Sequence, residues 1–412
     1  MAWDHVFLKN KFILYGFGLS NQKVAEFFNR NNVFYVIVED DYLLDDNYVI
    51  IKSPGILNNT TFMKKCRNLN LLIICDIELF YILRPDLKYI GITGTYGKTT
   101  TCTLLYNIMK ELYKVKVCGN IGIPIFSYIE EDIDYLIVEL SSFQLELTIN
   151  FRLNYYIILN IFDHHLNHHY SFLNYLNAKL MPLSNLNSED LLIINKSLIP
   201  YIKEREIKSK LFVFSNFEIK DFDFSVYKIS YFNYEYNKEN FLSIYKVLFF
   251  TKKEENKDLL KVKINDQIII KKLIEFKNLP YRMEKIIEQE DLVVINDSKS
   301  TGFISLKEGI KYCKKDYSNY FLTIIVGGKL DLEEFRKNIL FIKDLKEFDV
   351  YSYGENKVFF NKLINCKCYD TLEEVIENIV IKTNQVILFS PAAQSLDQFK
   401  SYEERGKLFN NY

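Results

Sequence analysis

The chain has 412 residues, with 52 Lys and Arg against 53 Asp and Glu, and 49% of it is hydrophobic. That length suits two or three domains with sizeable cores. Charges that nearly cancel offer no broad field to nucleic acid or an anionic membrane, and seven cysteines without a CxxC pair read as reduced thiols in a cytoplasmic protein.

In chain order, MAWDHVFLKNKFILYGF lacks a charged leader followed by a cleavable apolar segment. KFILYGFGLSNQKVAEFFNR reads as strand, glycine turn and helix, and VFYVIVED as the next strand. The greasiest run, LLIICDIELFYIL, carries Asp76 and Glu78 and is too short to span a bilayer. YIGITGTYGKTTTCTLLYNIMKELY repeats the strand–turn–helix theme, and DYLIVEL and NYYIILN follow as buried strands. Residues 215–275 are polar and rich in Tyr. After Leu279 come DLVVIND, FLTIIVGG, FDVYSYG and QVILFSP, each followed by a helical stretch, and Cys366 and Cys368 fall on a strand edge. Such alternation predicts an α/β fold with parallel sheets and helices on both faces, with ligands beyond the C-terminal strand ends. Pro85-Asp86 and Leu279-Pro280 place boundaries near 88 and 279, giving domains 1–88, 89–279 and 280–412. Glycine is scarce: 14 in all and none from 123 to 301, so its positions mark sharp turns or close approach to a ligand.

The most informative segment is GITGTYGKTTT, 91–101. Gly94 and Gly97 let the backbone turn its N–H groups toward an anion. Lys98 adds a point charge, Thr99 a hydroxyl suited to Mg²⁺, and the following helix its positive end. Ile92 stands where the strict Walker pattern has glycine. GFGLSN opens a dinucleotide fingerprint with Glu39 about 20 residues on. Asn21 fills the third glycine position, so a nucleotide or sugar-phosphate turn fits better than NAD. Glu139 in ELSSFQLE is either a Mg²⁺ ligand opposite the phosphate loop or a solvated strand-end acid. NIFDHHLNHH holds four of the five histidines, but HHxxHH without Cys fits no standard structural zinc site. Most of these read as surface imidazoles, and one as a ligand to a second cation. Lys179 in YLNAK reads alone as a helix-surface lysine. Arg282, Asp297 and Lys299 read alone as surface charges, or as nucleotide contacts from another domain.

Taken together the segments resemble the Mur ligases over nearly the whole length. The resemblance rests on GFGLS, SPGI (53–56), GITGTYGKTTT, GNIGIP (119–124), ELSSFQLE, NIFDHHLNHH, YLNAK, LPYRME, NDSKST and SPAAQSLDQFKSYEERG (390–406), in the family's order. SPGI, SSFQLE and SLDQF point to the branch that adds D-glutamate. The resemblance implies a Rossmann-like UDP-binding domain, a P-loop-type central ATPase domain and a Rossmann-like C-terminal domain. It implies ATP and Mg²⁺ as cofactors and UDP-MurNAc-L-Ala and D-glutamate as substrates, in a cytoplasmic monomer. Leu19, Ser20 and Glu39 would face UDP; Asn120 and Ser141 would contact the muropeptide. Gly94, Thr95, Gly97, Lys98, Thr99 and Thr100 would hold ATP, with Asn240 at adenine and Arg282 and Asp297 reaching ATP from the last domain. Thr99 and Glu139 would bind one cation. His165 would bind a second, with Lys179 as the lysine that the family carbamylates into a metal ligand. Lys98, Glu139, His165 and Lys179 form the catalytic set. Lys299, Thr301, Ser395, Leu396 and Tyr402 would surround D-glutamate.

Tyr96, Phe162, His164 and Tyr236 depart from the family pattern. So does GGKLD (327–331), where Lys329 comes two positions early and Asp331 fills the basic place. These departures predict a weakened but working enzyme. The rivals are a sibling ligase using another amino acid or extending folate, a degenerate non-catalytic nucleotide-binding protein, and, from GFGLS alone, a nicotinamide oxidoreductase.

Overall fold

A computed structural model describes residues 11–40, 42, 44, 48–215, 235–255, 266–276 and 279–411. The chain separates into two compact units, Met1–Phe276 and Lys277–Tyr412.

In the first unit, β1 (Lys11–Tyr15), β2 (Tyr35–Val38), β3 (Tyr48–Lys52) and β4 (Leu72–Ile74) form a parallel sheet of order β2-β1-β3-β4. A second parallel sheet contains β5 (Lys88–Thr93), β6 (Val115–Gly119), β7 (Tyr135–Glu139), β8 (Tyr155–Ile158), β9 (Leu191–Asn195) and β10 (Lys210–Phe214). Its order is β10-β9-β8-β5-β7-β6. The strands YLIVE, YYII and LLIIN are buried at every position, as continuous apolar runs must be when helices cover both faces. Phe27 and Phe28 on the helix Leu19–Arg30 are fully buried, and Phe126 lies 5.5 Å from Phe27 and 5.6 Å from Phe80 between ring centroids. This aromatic seam joins the helices of the two sheets. Glu78, fully buried, accepts from the backbone N–H groups of Ile149, Asn150 and Phe151, so its charge is held by three aligned donors. LLIICDIELFYIL divides into β4 and the helix Asp76–Leu83, and no helix among the described residues is long and apolar enough to cross a membrane.

The second unit carries β11 (Glu284–Glu288), β12 (Leu292–Asn296), β13 (Phe321–Gly327), β14 (Asp349–Tyr353), β15 (Lys367–Tyr369) and β16 (Gln385–Phe389), in the order β11-β12-β16-β13-β14-β15. The expectation of wholly parallel pairing fails at β11, which pairs antiparallel with β12. Only Gln289, Glu290 and Asp291 connect them, far too few for a parallel crossover. Cys368 lies on the edge strand β15 with Cys366 just before it, and every cysteine is free.

The order of the second sheet positions the site. β5 lies between β8 and β7, with β6 beyond β7, so the ends of β5, β7, β8 and β6 open side by side. Ile92 is in register with Glu139, Gly119 with Glu139, and Thr93 with Ile158. Four sequence segments distant in the chain, 94–100, 120, 139–141 and 160–165, thereby leave the sheet at one edge.

Candidate active site

The loop after β5 folds as its glycines demand. Gly97 has φ +85°, and a Cβ there would stand 2.8 Å from Asn240 Nδ2. Asn240, expected at adenine, is buried and lies against the loop itself. Lys98 opens the helix Lys98–Met109, so Thr99 and Thr100 sit in its first turn. The Lys98 ammonium donates to the carbonyls of Gly94 (2.7 Å) and Thr95 (3.0 Å), folding over the turn that precedes it. Thr95 faces inward: its Oγ1 lies 3.1 Å from the Tyr175 hydroxyl and accepts from Phe162 N. Sequence reasoning missed the organiser of this turn, Asn160. Its Oδ1 accepts from Thr95 N (3.1 Å) and Tyr96 N (2.9 Å), while its Nδ2 donates to Tyr96 O. The signal was an Asn just beyond an apolar strand, a place where a side-chain amide can satisfy loop backbone.

Around the loop lie groups that burial should penalise. Glu139 is 1% exposed, so the solvated-acid reading fails; Asn120 Nδ2 donates to its Oε1 (2.8 Å), and its Oε2 is buried with no hydrogen-bond partner. Lys179 is 1% exposed, contrary to a helix-surface lysine. Its Nζ donates to Thr93 Oγ1 and Gly94 O, both at 3.1 Å, and lies 4.9 Å from the Tyr175 ring centroid. Burial first, then the Lys98 charge, pushes the Lys179 ammonium well below its ordinary range, against the pull of Glu139. His165 adopts φ 54° at the N-terminus of the helix Leu166–His169, its ring 4.8 Å from that of Phe143. Burial, with His164, Lys98 and Lys179 nearby, lowers its pKa to about 2, so the imidazole is neutral at physiological pH and able to ligate a cation. Ser141 caps the short helix Ser142–Leu145, its hydroxyl accepting from Gln144 N (3.3 Å). An orphaned carboxylate oxygen, a neutral imidazole and a lysine biased to the free amine fit a divalent cation.

The histidine block corrects one expectation. His168 and His169 are each 4% exposed, not surface imidazoles. His168 Nε2 lies 2.6 Å from Glu146 Oε1, and His169 Nε2 2.9 Å from Ser142 Oγ.

At the first glycine turn Leu19 is exposed, Ser20 hydrogen-bonds buried Asp76, and Glu39 is exposed just beyond β2. Asn21 is fully buried, and its Nδ2 donates to Gly16 O (2.7 Å) and Ile51 O (3.0 Å), tying the turn to β3 where a third glycine was absent.

In the second unit Lys299 Nζ stands 3.7 Å from the Tyr402 ring centroid. Asp297 is 7% exposed and accepts from Met283 N (3.2 Å) and Ser390 Oγ (3.0 Å). Burial raises its carboxyl to about 7, despite Ser390. Arg282 lies in the turn before β11 and Thr301 just before the helix Phe303–Asp316; Ser395 is buried and Leu396 exposed. Missed here was Arg405, fully buried, which donates to the Ser298 hydroxyl and carbonyl and to Ala393 O. The GGKLD departure has a local reason. Lys329 is exposed and forms a bridge with Gln394, and Asp331 caps the helix Leu332–Lys337, accepting from Glu333 N and Glu334 N. Of the other departures, the side chain of Tyr236 lies outside the described residues.

Residues 92–265 match the Mur ligase middle domain. The chain is 30% identical over 403 residues to the UDP-N-acetylmuramoylalanine–D-glutamate ligase of Caldicellulosiruptor saccharolyticus, covering 90% of this chain and 85% of that protein. It therefore belongs to the Mur ligase family. The Lactococcus lactis protein of the same name is 31% identical over 399 residues, covering 89% of this chain and 83% of the relative. Among solved structures, MurF from Acinetobacter baumannii aligns with TM-score 0.64 at 14% identity, covering 100% of this chain and 97% of the other. MurF from Thermotoga maritima, solved in complex with ADP, aligns with TM-score 0.61 at 15% identity over 98% and 99%. At these identities the structures attest to the mixed α/β fold.

Proposed function

We propose that the chain is an ATP-dependent ligase that joins D-glutamate to UDP-N-acetylmuramoyl-L-alanine through an acyl phosphate. The observation that carries this reading is the set of buried Glu139 and Lys179 and half-buried His165 around the Lys98 loop, in a chain whose curated relatives bear that ligase's name. In this reading residues 1–88 form a Rossmann-like UDP-binding domain, 89–279 a P-loop-type ATPase domain and 280–412 a Rossmann-like amino-acid-binding domain. The protein acts as a cytoplasmic monomer.

A carboxylate resists amines because its leaving group would be oxide. Transfer of the outermost phosphoryl group of ATP to the alanyl carboxylate supplies a good leaving group. The D-glutamate amine then attacks, and the tetrahedral intermediate collapses with release of phosphate. Two anions must meet in the first step. Lys98, swinging from its loop carbonyls to the phosphates, and the N–H groups of the first helical turn lower that repulsion. Thr99 and Glu139 would hold Mg²⁺, and His165 with Lys179 a second cation; bound there, such ions neutralise charge on the transferring group. Asn120 steadies Glu139 through its 2.8 Å hydrogen bond. The depressed Lys179 supplies the free amine that carbamylation requires. Gly94, Thr95, Gly97, Thr100 and Asn240 shape the nucleotide side, and Arg282 and Asp297 are assigned to ATP. Leu19, Ser20 and Glu39 are assigned to UDP, Ser141 to the muropeptide, and Lys299, Thr301, Ser395, Leu396 and Tyr402 to D-glutamate.

The test is phosphate release with UDP-MurNAc-L-Ala, ATP and Mg²⁺, with and without D-glutamate. Release that depends on D-glutamate, and is not matched by L-alanine or L-lysine, supports the reading. Absence of ATP turnover with both substrates sinks it.

A further inference from the structure

Beside the phosphate loop lies a cluster that the ligase reading does not use. His168 Nε2 is 2.6 Å from Glu146 Oε1, and His169 Nδ1 is 3.6 Å from Glu146 Oε2. One ligand atom from each of Glu146, His168 and His169 lies within 4.8 Å of the others. Both histidines are 4% exposed, whereas the Glu146 side chain keeps 16% of its surface, which leaves an entry path. We propose that Glu146, His168 and His169 form a binding site for a divalent transition metal, Zn²⁺ by preference, separate from the cations at the phosphate loop.

The donor chemistry favours zinc. Two imidazoles and one carboxylate are a borderline set that zinc accepts in tetrahedral geometry, with donors about 2.0–2.2 Å from the ion. Donors on such an ion stand roughly 3.3 Å apart; the two imidazole–carboxylate distances, 2.6 and 3.6 Å, bracket that value, and the three donors, now within 4.8 Å of one another, would have to close by about 1.5 Å at most. The orientation of His169 is already set. Its Nε2 lies 2.9 Å from Ser142 Oγ and its Nδ1 faces Glu146; with an ion on Nδ1, Nε2–H would donate to that hydroxyl, the outer-shell arrangement that fixes metal-binding tautomers. Asn58 supplies the fourth direction. Its Nδ2 lies 2.9 Å from Glu146 Oε1 and 3.3 Å from His168 Nε2, while its Oδ1 is buried without a partner. Turning the amide over presents that oxygen to the ion.

Without metal, Glu146 Oε1 is shared between His168 Nε2 and Asn58 Nδ2, and Asn58 Oδ1 is buried without a hydrogen-bond partner. A bound cation takes over compensation of Glu146. It also ties the loop after β3 and the end of the helix Ser142–Leu145 to the helix Leu166–His169, whose N-cap is His165. The role is structural, holding His165 in place.

The inference stands whether or not the ligase reading holds. The test is equilibrium dialysis of the EDTA-stripped protein against Zn²⁺ without nucleotide, with metal counted by atomic emission. Wild type should retain one more equivalent than the His168→Gln/His169→Gln variant, and His165→Gln, which can lose only the cation assigned to His165 and Lys179, should lose a further equivalent when combined with that pair. The Co²⁺-loaded wild type should show the intense visible absorption of a four-coordinate ion, and the double variant should lose it. Should far-UV circular dichroism find the double variant unfolded, Glu146→Gln takes its place in both measurements. Equal zinc content in wild type and the double variant, or in His165→Gln with and without that pair, overturns the proposal.

Discussion

Two glycine turns in the first unit begin alike and end differently. After β1, Gly16 takes φ +78° and leads to the helix Leu19–Arg30; after β5, Gly97 takes φ +85° and leads to the helix Lys98–Met109. At the first turn the space is filled. A Cβ on Gly16 would stand 2.2 Å from Ile56 Cδ1, and Asn21 closes the loop with hydrogen bonds to Gly16 O and Ile51 O. At the second, nearly the same backbone is ringed by Lys98, Glu139, His165 and Lys179. Burying such groups without full pairing costs several kcal/mol. A strand–glycine–helix turn is thus a common scaffold, and the residues that neighbouring strand ends bring to it decide whether it is closed by packing, as at Gly16, or ringed by charged groups, as at Gly97.

The sharpest way to break this contrast is Lys98→Ala. Ligation should fall about 10²–10³-fold in kcat, roughly 3–4 kcal/mol, as for loss of one preorganised electrostatic contact. Phosphate release in the steady state checks it, and undiminished turnover would return the second turn to the packing class.

The first turn has one buried charge of its own. Asp76, bonded to Ser20, is raised from 3.8 to about 6, chiefly by burial. A carboxyl raised on folding binds its proton more tightly in the native state. Its contribution is therefore largest below the unfolded pKa and is lost as pH rises through about 6. A shift of about 2 pH units corresponds to roughly 3 kcal/mol across that window. In Asp76→Asn, stability from urea unfolding should vary less between pH 4 and 6 than in wild type. Parallel pH profiles for the two proteins would mean that Asp76 stays charged, and the first turn would then resemble the second.

A matched pair sharpens the comparison further. Gly97→Ala and Gly16→Ala each place a Cβ at positive φ, costing about 1–2 kcal/mol of stability, and Gly16→Ala costs more because its Cβ also meets Ile56 at 2.2 Å. Only Gly97→Ala, which also presses on Asn240, should weaken ATP binding, by about tenfold or more. Equal effects on nucleotide affinity, measured by calorimetric titration, would erase the distinction.

How much of this could be read from sequence depended on chain separation. GTYGKTT revealed itself locally, because glycine spacing, Lys98 and the helix start lie within seven residues. The alternation of strands and helices gave the parallel layers, but not β11, whose half-exposed EKIIE looks like loop and whose direction is set by a three-residue connection. Burial of Glu139 and Lys179 was invisible locally. Either residue alone looks solvated, and only the strand order β8-β5-β7-β6 encloses them. Asn160 went unnoticed because its partners lie 64 and 65 residues away in sequence. His168 and His169 were misread because helical spacing cannot tell an imidazole facing water from one facing Glu146.

The finest test of the contrast is Asn21→Ala. The substitution removes the short Nδ2 hydrogen bonds to the Gly16 and Ile51 carbonyls, each worth about 1 kcal/mol net, and a long contact of 3.4 Å to Tyr15 O. Part of this loss is offset, because Asn21 Oδ1 is itself buried without a partner and leaves with the side chain. The expected cost is about 1 kcal/mol in urea unfolding, with kcat and the KM for ATP unchanged, since the amide closes the turn and faces no part of the phosphate loop. A raised KM for ATP would show that the first turn senses the nucleotide after all. A raised KM for the UDP substrate with ATP unaffected would instead mean that Asn21 sets the N–H geometry at Leu19 and Ser20 for the UDP contact assigned to them.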